Sequence, residues 1–589
     1  MTSLREFSEY VHNQSRRPPM DKVHPSIQTE LDVLASLTIQ DKSESKIIAS
    51  SASFRECLLD SQHGQQLTEL IKRLLLDGHG ECILPLWKDP DDSSVEVALT
   101  RGEFNSAVEN IKQICSKLTC TVTELYPAVE SDNTTVRGTV LIREKIVAVS
   151  DMLEIRVAVV GNVDAGKSTL LGVLTKGGLD DGRGKARVNL FRFKHELETG
   201  RTSSVGMEIM GFDDTGKVVG ANDGSRKSSW RDIVGWSKKV ITFIDLAGHE
   251  KYLKTTVFGL MGGSPDYVML MVGANAGMVG MAREHLGVAL ALNVPVFVCV
   301  TKVDMCPPNV LQATLAQLGK ILRSAGCRKM PIFISSLQDV ADASPNFVSQ
   351  RICPIFQISS VSGQGLDYVR SFLNLLPFYG QFDDSAPFEF EINDTFSVPF
   401  VGTVVSGVVT SGTVQPGDSV YIGPDSLGQF TISSIRSIER KRQPVTIARA
   451  GQSVSFAMKK LRRKDVRKGM VVLAKHDGST VDSGSSSLAT SLSLSSPPKS
   501  VREFVAEVLI LQHATTIKIR YQAMLHVGAV AQTCAIVELD RPYIRTGDRA
   551  LVKFRFILRP EYIKPGQKIL FREGRTRGLG VVKEVIHGF

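Results

Sequence analysis

Apolar residues along the middle of the chain form two kinds of run, and each kind predicts a different element. Runs near residues 155, 240, 267, 295 and 355 are apolar at almost every position, as in strands buried on both faces of a parallel sheet. Between them, apolar residues recur at helical spacing, for example over 282–292. The alternation predicts a doubly wound, mainly parallel α/β sheet with ligand loops at the carboxyl ends of its strands.

The first quarter of the chain carries a less regular pattern. Helices are predicted over 64–76 and 102–118, and alternating strands over 120–126 and 137–147. We interpret this part as a small α+β unit that follows a disordered N-terminus.

A glycine-containing segment follows the strand predicted near residue 155. It occupies 161–169 and reads GNVDAGKST, which is the GxxxxGK[ST] pattern placed between a strand and a helix start. Its glycines let successive N–H groups surround one anion, and the helix start adds its positive end. Lys167 can reach the outer phosphates, and the Ser168 hydroxyl can ligate Mg²⁺. The predicted nucleotide-binding residues of this loop are Gly161, Asn162, Val163, Asp164, Ala165, Gly166, Lys167, Ser168 and Thr169.

The strand predicted near residue 240 ends in a second phosphate-binding motif. Asp245, its last residue, can hold the Mg²⁺ shell through water, and the N–H of Gly248 can donate to a γ-phosphate. Taken alone, Asp-x-x-Gly is also an ordinary strand-to-turn sequence, so this interpretation depends on the neighbouring motifs. The predicted site residues of this segment are Asp245, Leu246, Ala247, Gly248 and His249.

Two further strand ends indicate guanine rather than adenine. Asp304 can accept hydrogen bonds from N1 and the exocyclic amine of guanine, a donor pair that adenine lacks. Lys302 can lay its methylene stem over the base, and backbone N–H groups at 359–361 can read the guanine O6. The predicted base-binding residues are Thr301, Lys302, Val303, Asp304, Ser359, Ser360 and Val361. Together the four motifs predict a GTP-binding domain.

These motifs resemble those of the translational GTPases, the elongation-factor-Tu and 1A superfamily. The marker is segment 245–250, DLAGHE, in which a His directly follows the switch glycine. The resemblance implies that His249 is the catalytic residue, which positions the attacking water. It also implies GTP or GDP and Mg²⁺ as cofactors. The implied metal ligands are Ser168, Thr202 and Asp245, the last through water, with Ser204 as an alternative to Thr202.

The resemblance extends beyond the nucleotide site. Segments 402–418 and 450–470 resemble the second domain of that superfamily, and 571–580 resembles the closing strands of its third, so two β-barrels are implied. Segments 195–204 and 541–547 look like the animal GTP-binding protein 1 and 2 subfamily. Those proteins are elongation-factor-like GTPases linked to translation, ribosome quality control and mRNA turnover.

Three features depart from the superfamily pattern. Thr301 stands where Asn is usual, and the Asn amide normally ties that loop to the phosphate loop, so somewhat weaker base binding is expected. Ala247 stands where Pro is usual, which leaves the turn less rigid. Segment 198–206 resembles the first switch of the superfamily, and 245–250 contains the second. Residues 213–239 form an extra stretch between the two switches, which we interpret as a surface hairpin or loop.

The chain as a whole has 589 residues and nine cysteines, and its length suggests about four domains. No apolar run reaches the roughly 18–20 residues that span a bilayer, and the first residues do not resemble a secretory signal. An odd cysteine count without CxxC pairs is typical of reduced thiols, so we expect a cytoplasmic protein with no membrane contact. We also expect a monomer. In chain order, the predicted units are a disordered N-terminus (1–45), a small α+β domain (46–150), an α/β P-loop GTPase domain (151–382), a first β-barrel (386–475), a Ser-rich linker (476–500) and a second β-barrel (501–589).

Basic residues are concentrated in the second half of the chain, within a net charge of +9. Residues 500–589 hold 15 Lys and Arg against 8 Asp and Glu, and 459–468 is a second basic block. Such clusters suit a phosphate backbone, although a solvated barrel face has the same composition. By resemblance, the partner is the ribosome with its RNA, and the cargo is tRNA or a ribosome-rescue or mRNA-decay protein. The alternative is a non-ribosomal switch or adaptor whose barrels bind protein partners only.

Overall fold

The structure is a computed structural model that describes residues 53–92, 95–132, 135–145, 148–149, 152–188, 190–191, 193–220, 229–349, 351–378, 380, 382–475, 497–573 and 576–586. The predicted disordered terminus, 1–45, lies outside these residues, as does 476–496 of the predicted linker. Within the described ranges, no helix is long and apolar enough to cross a membrane.

The first described unit is a small α+β domain. Its elements are α1 (Phe54–Leu59), α2 (Gly64–Asp77), β1 (Glu81–Pro85), α3 (Arg101–Lys117), β2 (Cys120–Glu124), β3 (Val129–Asp132), β4 (Thr135–Arg137) and β5 (Thr139–Glu144). An antiparallel sheet of order β1-β5-β2 packs against the helices. Leu67 and Ile71 of α2 meet Phe104 and Ile111 of α3 in its core, because both helices have an apolar stripe at helical spacing. The sequence-predicted helices and paired strands are therefore present.

The second unit is an eight-stranded α/β sheet. Its strands are β6 (Leu153–Gly161), β7 (Gly206–Phe212), β8 (Val218–Val219), β9 (Lys239–Asp245), β10 (Tyr267–Gly273), β11 (Val296–Thr301), β12 (Met330–Phe333) and β13 (Ile352–Gln357). The spatial order is β12-β13-β11-β10-β6-β9-β7-β8. From β12 to β9 all neighbours are parallel, whereas β7 and β8 add an antiparallel edge. The prediction of a mainly parallel sheet is confirmed.

Helices cover both faces of this sheet. They are α4 (Lys167–Lys176), α5 (Lys185–Val188), α6 (Lys194–Thr199), α7 (Trp230–Trp236), α8 (Leu253–Gly262), α9 (Met281–Ala291), α10 (Pro308–Arg323), α11 (Leu337–Ser349) and α12 (Leu366–Leu375). On one face Phe297 and Phe356 pack on Phe372 of α12, each at a centroid distance of 5.1 Å. On the other face Val298 packs with Leu318 of α10. The central strands are apolar at most positions because both of their faces are buried.

The extra stretch at 213–239 is more than the predicted surface hairpin or loop. A short hairpin of β7 and β8 is present, but α7 follows it, and the Ser229 hydroxyl caps that helix by accepting from the N–H of Asp232. Helix α7 also contacts the first barrel, since the Gln443 amide donates to the Arg231 carbonyl at 3.0 Å. Arg442 lies over the Trp230 ring at 5.1 Å. Helix α7 of the insertion therefore joins the GTPase domain to the first barrel.

Two closed β-barrels follow. The first contains β14 (Glu389–Val398), β15 (Gly402–Ser411), β16 (Thr413–Val414), β17 (Ser419–Gly423), β18 (Thr431–Arg440), β19 (Gln443–Val445), β20 (Ala448–Arg449), β21 (Ser453–Met458) and β22 (Val471–Ala474). The pairing of β17 with β18 closes its six main strands. The second barrel, of order β23-β26-β25-β24-β27-β28, contains β23 (Glu503–Gln512), β24 (Gln522–Val527), β25 (Val530–Leu539), β26 (Arg549–Phe556), β27 (Lys568–Glu573) and β28 (Thr576–Ile586).

A buried ionic cluster fixes the N-terminal unit to the amino end of β9. The Glu81 carboxylate binds Arg143 at 2.7 Å and Lys239 at 2.5 Å, and both cations are fully buried. Lys239 also donates to the carbonyl oxygens of Asn374 and Leu376. Burial alone would raise the pKa of Glu81, but the two cations outweigh it and lower that pKa. The N-terminal unit is thus joined to the GTPase sheet at the end opposite Asp245.

A second buried carboxylate fixes the first barrel to the same sheet. Glu154 of β6 binds Lys441 at 2.7 Å and lies 3.7 Å from Arg440. Burial by itself would raise the pKa of Glu154, but Lys441 and Arg440 hold it at about 2. Lys441 and Arg442 both have positive φ, +50° and +67°, in a two-residue hairpin turn that usually takes Asn-Gly. Contacts with Glu154 and Trp230 stabilise that turn.

Candidate functional site

Two glycines shape the phosphate loop between β6 and α4. At Gly161 a Cβ would lie 2.4 Å from the carbonyl oxygen of Met271 on the neighbouring strand, so only glycine fits there. Gly166 has a φ of +80° and directly precedes α4, a left-handed conformation that glycine adopts at little cost. The chain therefore turns tightly and presents its N–H groups at the start of the helix.

Lys167 is the first residue of α4 and is almost fully buried. Its ammonium donates to the carbonyl oxygens of Gly161 at 3.2 Å and Asn162 at 2.7 Å. Burial lowers the pKa of Lys167 to about 8, although Asp245 opposes the shift. Gly248 lies against this group, where a Cβ would be 2.4 Å from Nζ. The second switch therefore contacts the phosphate loop directly.

Three oxygen-bearing side chains from separate segments meet beside Lys167. The Ser168 hydroxyl donates to Oδ2 of Asp245 at 2.8 Å and is 2.8 Å from the Thr202 hydroxyl. Thr202 is 3.4 Å from the same carboxylate oxygen. Oδ1 of Asp245 is buried and has no hydrogen-bond partner within the described chain, and burial raises the pKa of this group. Hydroxyl and carboxylate oxygens are the ligands that Mg²⁺ takes, so these residues fit that ion.

The first switch reaches this cluster because a buried glutamate anchors it. One oxygen of Glu196 accepts from the N–H and hydroxyl of Ser203, both at 2.8 Å, and from the N–H and hydroxyl of Ser204, both at 3.2 Å. The Ser204 hydroxyl is therefore engaged by Glu196, while Thr202 lies with Ser168. Of the two alternatives for the third ligand, the structure places Thr202 in the cluster.

His249 lies at the edge of the same cavity. Its Nδ1 accepts a hydrogen bond from the N–H of Lys251 at 3.1 Å. Its ring makes an edge contact with the Tyr252 ring, with the two centroids 6.2 Å apart. Because Nδ1 accepts, the neutral ring carries its proton on Nε2, which can donate to a water oxygen. Leu246 and Ala247, in contrast, are buried. The predicted residues that line the cavity are Val163, Asp164, Gly166, Lys167, Ser168, Thr169, Thr202, Gly248 and His249.

The two predicted base-binding loops lie at the neighbouring strand ends. The Thr301 hydroxyl donates to the Ala165 carbonyl at 3.0 Å, so the threonine itself ties this loop to the phosphate loop, and the structure shows no lost tie. The N–H of Val303 donates to the Ile358 carbonyl at 3.4 Å, which joins the loops to each other. Asp304 is exposed and follows Lys302, which has a φ of +61°.

In the described loop 359–364, one backbone N–H group has no hydrogen-bond partner. The N–H groups of Val361 and Ser362 donate to the Ser359 hydroxyl at 3.2 and 3.0 Å, and that of Gly363 donates to the Ser359 carbonyl. Within the described chain, the N–H of Ser360 makes no hydrogen bond. Of the three residues predicted to read the base here, Ser360 alone has a free N–H.

Comparison with known proteins identifies the family. The family model for the elongation factor Tu GTP binding domain matches residues 153–403 of the sequence, and the family model for elongation factor Tu domain 2 matches residues 402–473. The chain is 48% identical over 533 residues to GTP-binding protein 1 of Xenopus laevis, which covers 90% of this chain and 78% of that protein. The chain belongs to the GTP-binding protein 1 and 2 family of elongation-factor-Tu-like GTPases. It is also 40% identical over 531 residues to human GTP-binding protein 2, covering 88% and 84% of the two chains.

A solved structure supports the fold of this GTPase. Translation elongation factor SelB from Methanococcus maripaludis, in complex with the GTP analogue GppNHp, matches with a TM-score of 0.52 at 18% identity. The match covers 74% of this chain and 80% of that one. The family and the fold together show that the chain binds GTP and hydrolyses it, as the motifs predicted.

Several residues of the nucleotide site carry no motif that the sequence would reveal. Arg187 and Arg201 line the phosphate cavity, Glu196 anchors the first switch, and His285 accepts a hydrogen bond from the N–H of Gly161 at 3.1 Å. Arg187 and His285 lie outside every motif singled out in the sequence, and Glu196 and Arg201 lie in segment 195–204, whose resemblance did not indicate these roles. Only the tertiary structure brings them to the site, although an unpaired His on an otherwise apolar helix face is a weak signal for His285.

Proposed function

We propose that this GTPase works as a nucleotide-driven switch on the ribosome, with Ser168, Thr202 and Asp245 as metal ligands, the last through water. The observation that carries the proposal is the hydrogen-bonded cluster of these three side chains, because it joins the phosphate loop to both switches. Mg²⁺ bound there would neutralise charge between the β- and γ-phosphates. Loss of the γ-phosphate would release the switch segments around Thr202 and Gly248 and change the position of the barrels.

Binding of GTP is assigned to the loops described above. N–H groups of 161–169 and the Lys167 ammonium would hold the phosphates, and the N–H of Gly248 would donate to the γ-phosphate. Asp304 would accept from the guanine N1 and amine, and the free N–H of Ser360 would donate to O6. Adenine would leave Asp304 without donors, which is the basis of the discrimination.

His249 is proposed as the catalytic residue. With its proton on Nε2, the ring orients the attacking water by donating to the water oxygen, so it acts in positioning and not as a base. Hydrolysis of a phosphoanhydride depends mainly on positioning and on charge stabilisation. His249 is half-exposed at the cavity edge, so contact with a partner can move it, and slow intrinsic turnover is expected.

A basic cavity where three domains meet supports an RNA partner. It has a volume of about 550 Å³, and the cations that line it include Lys254 of α8, Arg463 and Lys468 of the first barrel, and Arg559 of the second. Among the described residues, none with a carboxylate lines this cavity, although Lys468 pairs with Asp394 and Arg559 pairs with Glu561. Such a cluster suits a phosphate backbone. The exposed Lys254 lies just after the second switch, so a polyanion bound there would contact the part of the GTPase domain that responds to the nucleotide.

The test is multiple-turnover GTP hydrolysis with and without 80S ribosomes, at low and high salt. Strong stimulation that falls with salt would support the proposal. Lys254→Glu should reduce both the ribosomal stimulation and the filter binding of charged tRNA. Lys464→Glu is the control and should change both little, because Lys464 is an exposed residue of the basic block 459–468 that does not line the cavity. Normal tRNA binding would assign the cargo as aminoacyl-tRNA, and its absence with intact stimulation would favour a protein cargo. Intact GTP binding with no ribosomal stimulation would favour the non-ribosomal switch.

A further inference from the structure

An arginine outside every nucleotide-binding motif lines the phosphate cavity. Arg187 of α5 faces the space that Lys167, Thr202 and His249 also line. Its guanidinium lies against the backbone of the first switch, since a Cβ at Gly200 would be 3.0 Å from it. Within the part of the chain that the structure describes, no hydrogen bond or ion pair engages this guanidinium. A half-buried cation without a carboxylate partner in a phosphate cavity indicates an anionic ligand.

The loop that carries Arg187 is held in place by a buried carboxylate. Asp180 accepts from the N–H groups of Gly182, Gly184 and Ala186 at 3.0, 3.1 and 2.9 Å. Its own N–H donates to the carbonyl of Ser360 in the base-binding loop at 2.9 Å. The segment before Arg187 is therefore fixed relative to the nucleotide site.

Close packing against the phosphate-loop helix fixes α5 itself. A Cβ at Gly172 of α4 would lie 2.1 Å from the carbonyl oxygen of Ala186, so the backbone of α5 touches α4 directly. Position 187 is thus set by backbone contacts on both sides. A preorganised donor of this kind costs little reorganisation when charge develops in a transition state.

We propose that Arg187 is a catalytic residue supplied in cis, which binds the γ-phosphate oxygens and stabilises the transition state of GTP hydrolysis. In that step the water oxygen bonds to the γ-phosphorus, and the bond to the β–γ bridging oxygen breaks. The bond electrons leave with GDP, and the water proton passes to phosphate oxygen. Arg187 forms hydrogen bonds only, and its planar fork matches two phosphate oxygens. This proposal rests on the nucleotide site proposed above but does not involve the ribosome.

The experiment is single-turnover GTP hydrolysis by the full chain without ribosomes, alongside GTP and GDP affinities. Arg187→Ala should lower the rate roughly 10²–10³-fold, the loss expected for one preorganised donor, while both affinities change only a few-fold. Arg187→Lys, which keeps the stem and the charge, should also be slow because it lacks the fork. Free guanidinium, added below denaturing concentrations, should restore part of the Arg187→Ala rate. A merely structural role would not give that rescue.

Matched controls separate this proposal from its competitors. Arg183→Ala, in the same loop but exposed and outside the cavity, should hydrolyse GTP at the wild-type rate. An unchanged rate in Arg187→Ala, or a loss confined to Arg201→Ala, would overturn the proposal, and so would a rate loss matched by an equal loss of GDP affinity. If those results accompany normal ribosomal stimulation of the wild-type chain, the proposed function stands without Arg187. If the wild-type chain binds no GTP, both proposals fail.

Discussion

His285 accepts a hydrogen bond through Nδ1 from the backbone N–H of Gly161 at 3.1 Å, although the two residues are 124 positions apart. The preceding residue, Glu284, forms ion pairs with Arg572 and Arg577 of the second barrel. Two consecutive residues of α9 therefore connect the start of the phosphate loop with the last domain. A movement of the second barrel relative to α9 would therefore act on a helix that contacts the phosphate loop.

The His285 contact makes a prediction for acid sensitivity. Burial, reinforced by Lys167 and Arg572, lowers the pKa of His285 to about 3, whereas an unfolded imidazole has a pKa near 6.5. Below pH 6.5 the unfolded chain takes up this proton and the folded chain does not, so stability present above pH 6.5 is lost as the pH falls. From pH 7 to pH 5 the loss should be about 2 kcal/mol from this group.

Urea unfolding at both pH values measures that loss. His285→Asn, whose amide oxygen can accept in place of Nδ1, should remove this part of the pH dependence. His79→Asn is the matched control, because His79 is exposed and Asn tolerates its φ of +55°. Equal pH dependence in wild type and His285→Asn would contradict the prediction.

The choice between Thr202 and Ser204 is open to a paired test. Thr202→Ala should lower GTP hydrolysis by at least about tenfold and raise the Mg²⁺ concentration required, because it removes a hydroxyl from the cluster with Ser168. Ser204→Ala removes a hydroxyl that bonds Glu196, where the N–H groups of the segment keep the same carboxylate occupied. It should therefore change hydrolysis less than about threefold, by loss of one hydrogen bond. Titration of Mg²⁺ in the hydrolysis assay decides, and the reverse order would reassign the ligand to Ser204.

His249→Ala should separate binding from hydrolysis. The ring contacts Lys251 and Tyr252 and lies at the cavity edge, so GTP affinity should stay within a few-fold of wild type. Ribosome-stimulated hydrolysis should fall by about 10² or more, as for loss of a positioned proton donor. Rapid-quench kinetics with saturating ribosomes provide the measurement, and undiminished stimulation would remove His249 from the mechanism.

The ionic cluster at the base of β9 makes a prediction for stability. Glu81→Gln leaves the fully buried Arg143 and Lys239 without their carboxylate, and removal of one partner from a buried pair costs about 3–5 kcal/mol. Glu96→Gln is a matched control in the same unit, since its exposed carboxylate lies 3.4 Å from the exposed guanidinium of Arg137, and such a pair contributes about 0–1 kcal/mol. Thermal and urea unfolding of the two variants should differ accordingly. Equal losses of unfolding free energy in the two variants would show that burial does not determine how much the cluster contributes to stability.

The sequence was informative wherever a local pattern encodes a local geometry. The strands β6, β9, β10, β11 and β13 were predictable because burial on both faces requires unbroken apolar runs, and the phosphate loop was predictable because Gly161 and Gly166 occupy positions that only glycine fits. Strand β7 was missed because its first three residues are only partly buried, so it has no unbroken apolar run. Helix α7 was missed because it is short and its cap, Ser229, lies in a polar stretch.

Residues far along the chain from the loops they contact were outside the reach of sequence patterns. Arg187 and His285 lie outside every motif singled out in the sequence, and nothing in their neighbours signals the contact. Thr301 is a different case, because its hydroxyl bonds the Ala165 carbonyl and so ties this loop to the phosphate loop in the absence of the usual Asn. Weaker base binding at Thr301 stays a prediction.

Strand β9 has the dimensions of a spacer. Its first residue, Lys239, is fixed to the N-terminal unit, and its last, Asp245, belongs to the nucleotide cluster. Seven residues of extended chain place these two points about 20 Å apart. A factor recruited by the N-terminal unit would therefore be carried at a set distance from the γ-phosphate, at the opposite end of the strands. It would be delivered together with the GTPase to whatever the barrels bind, without covering the switches.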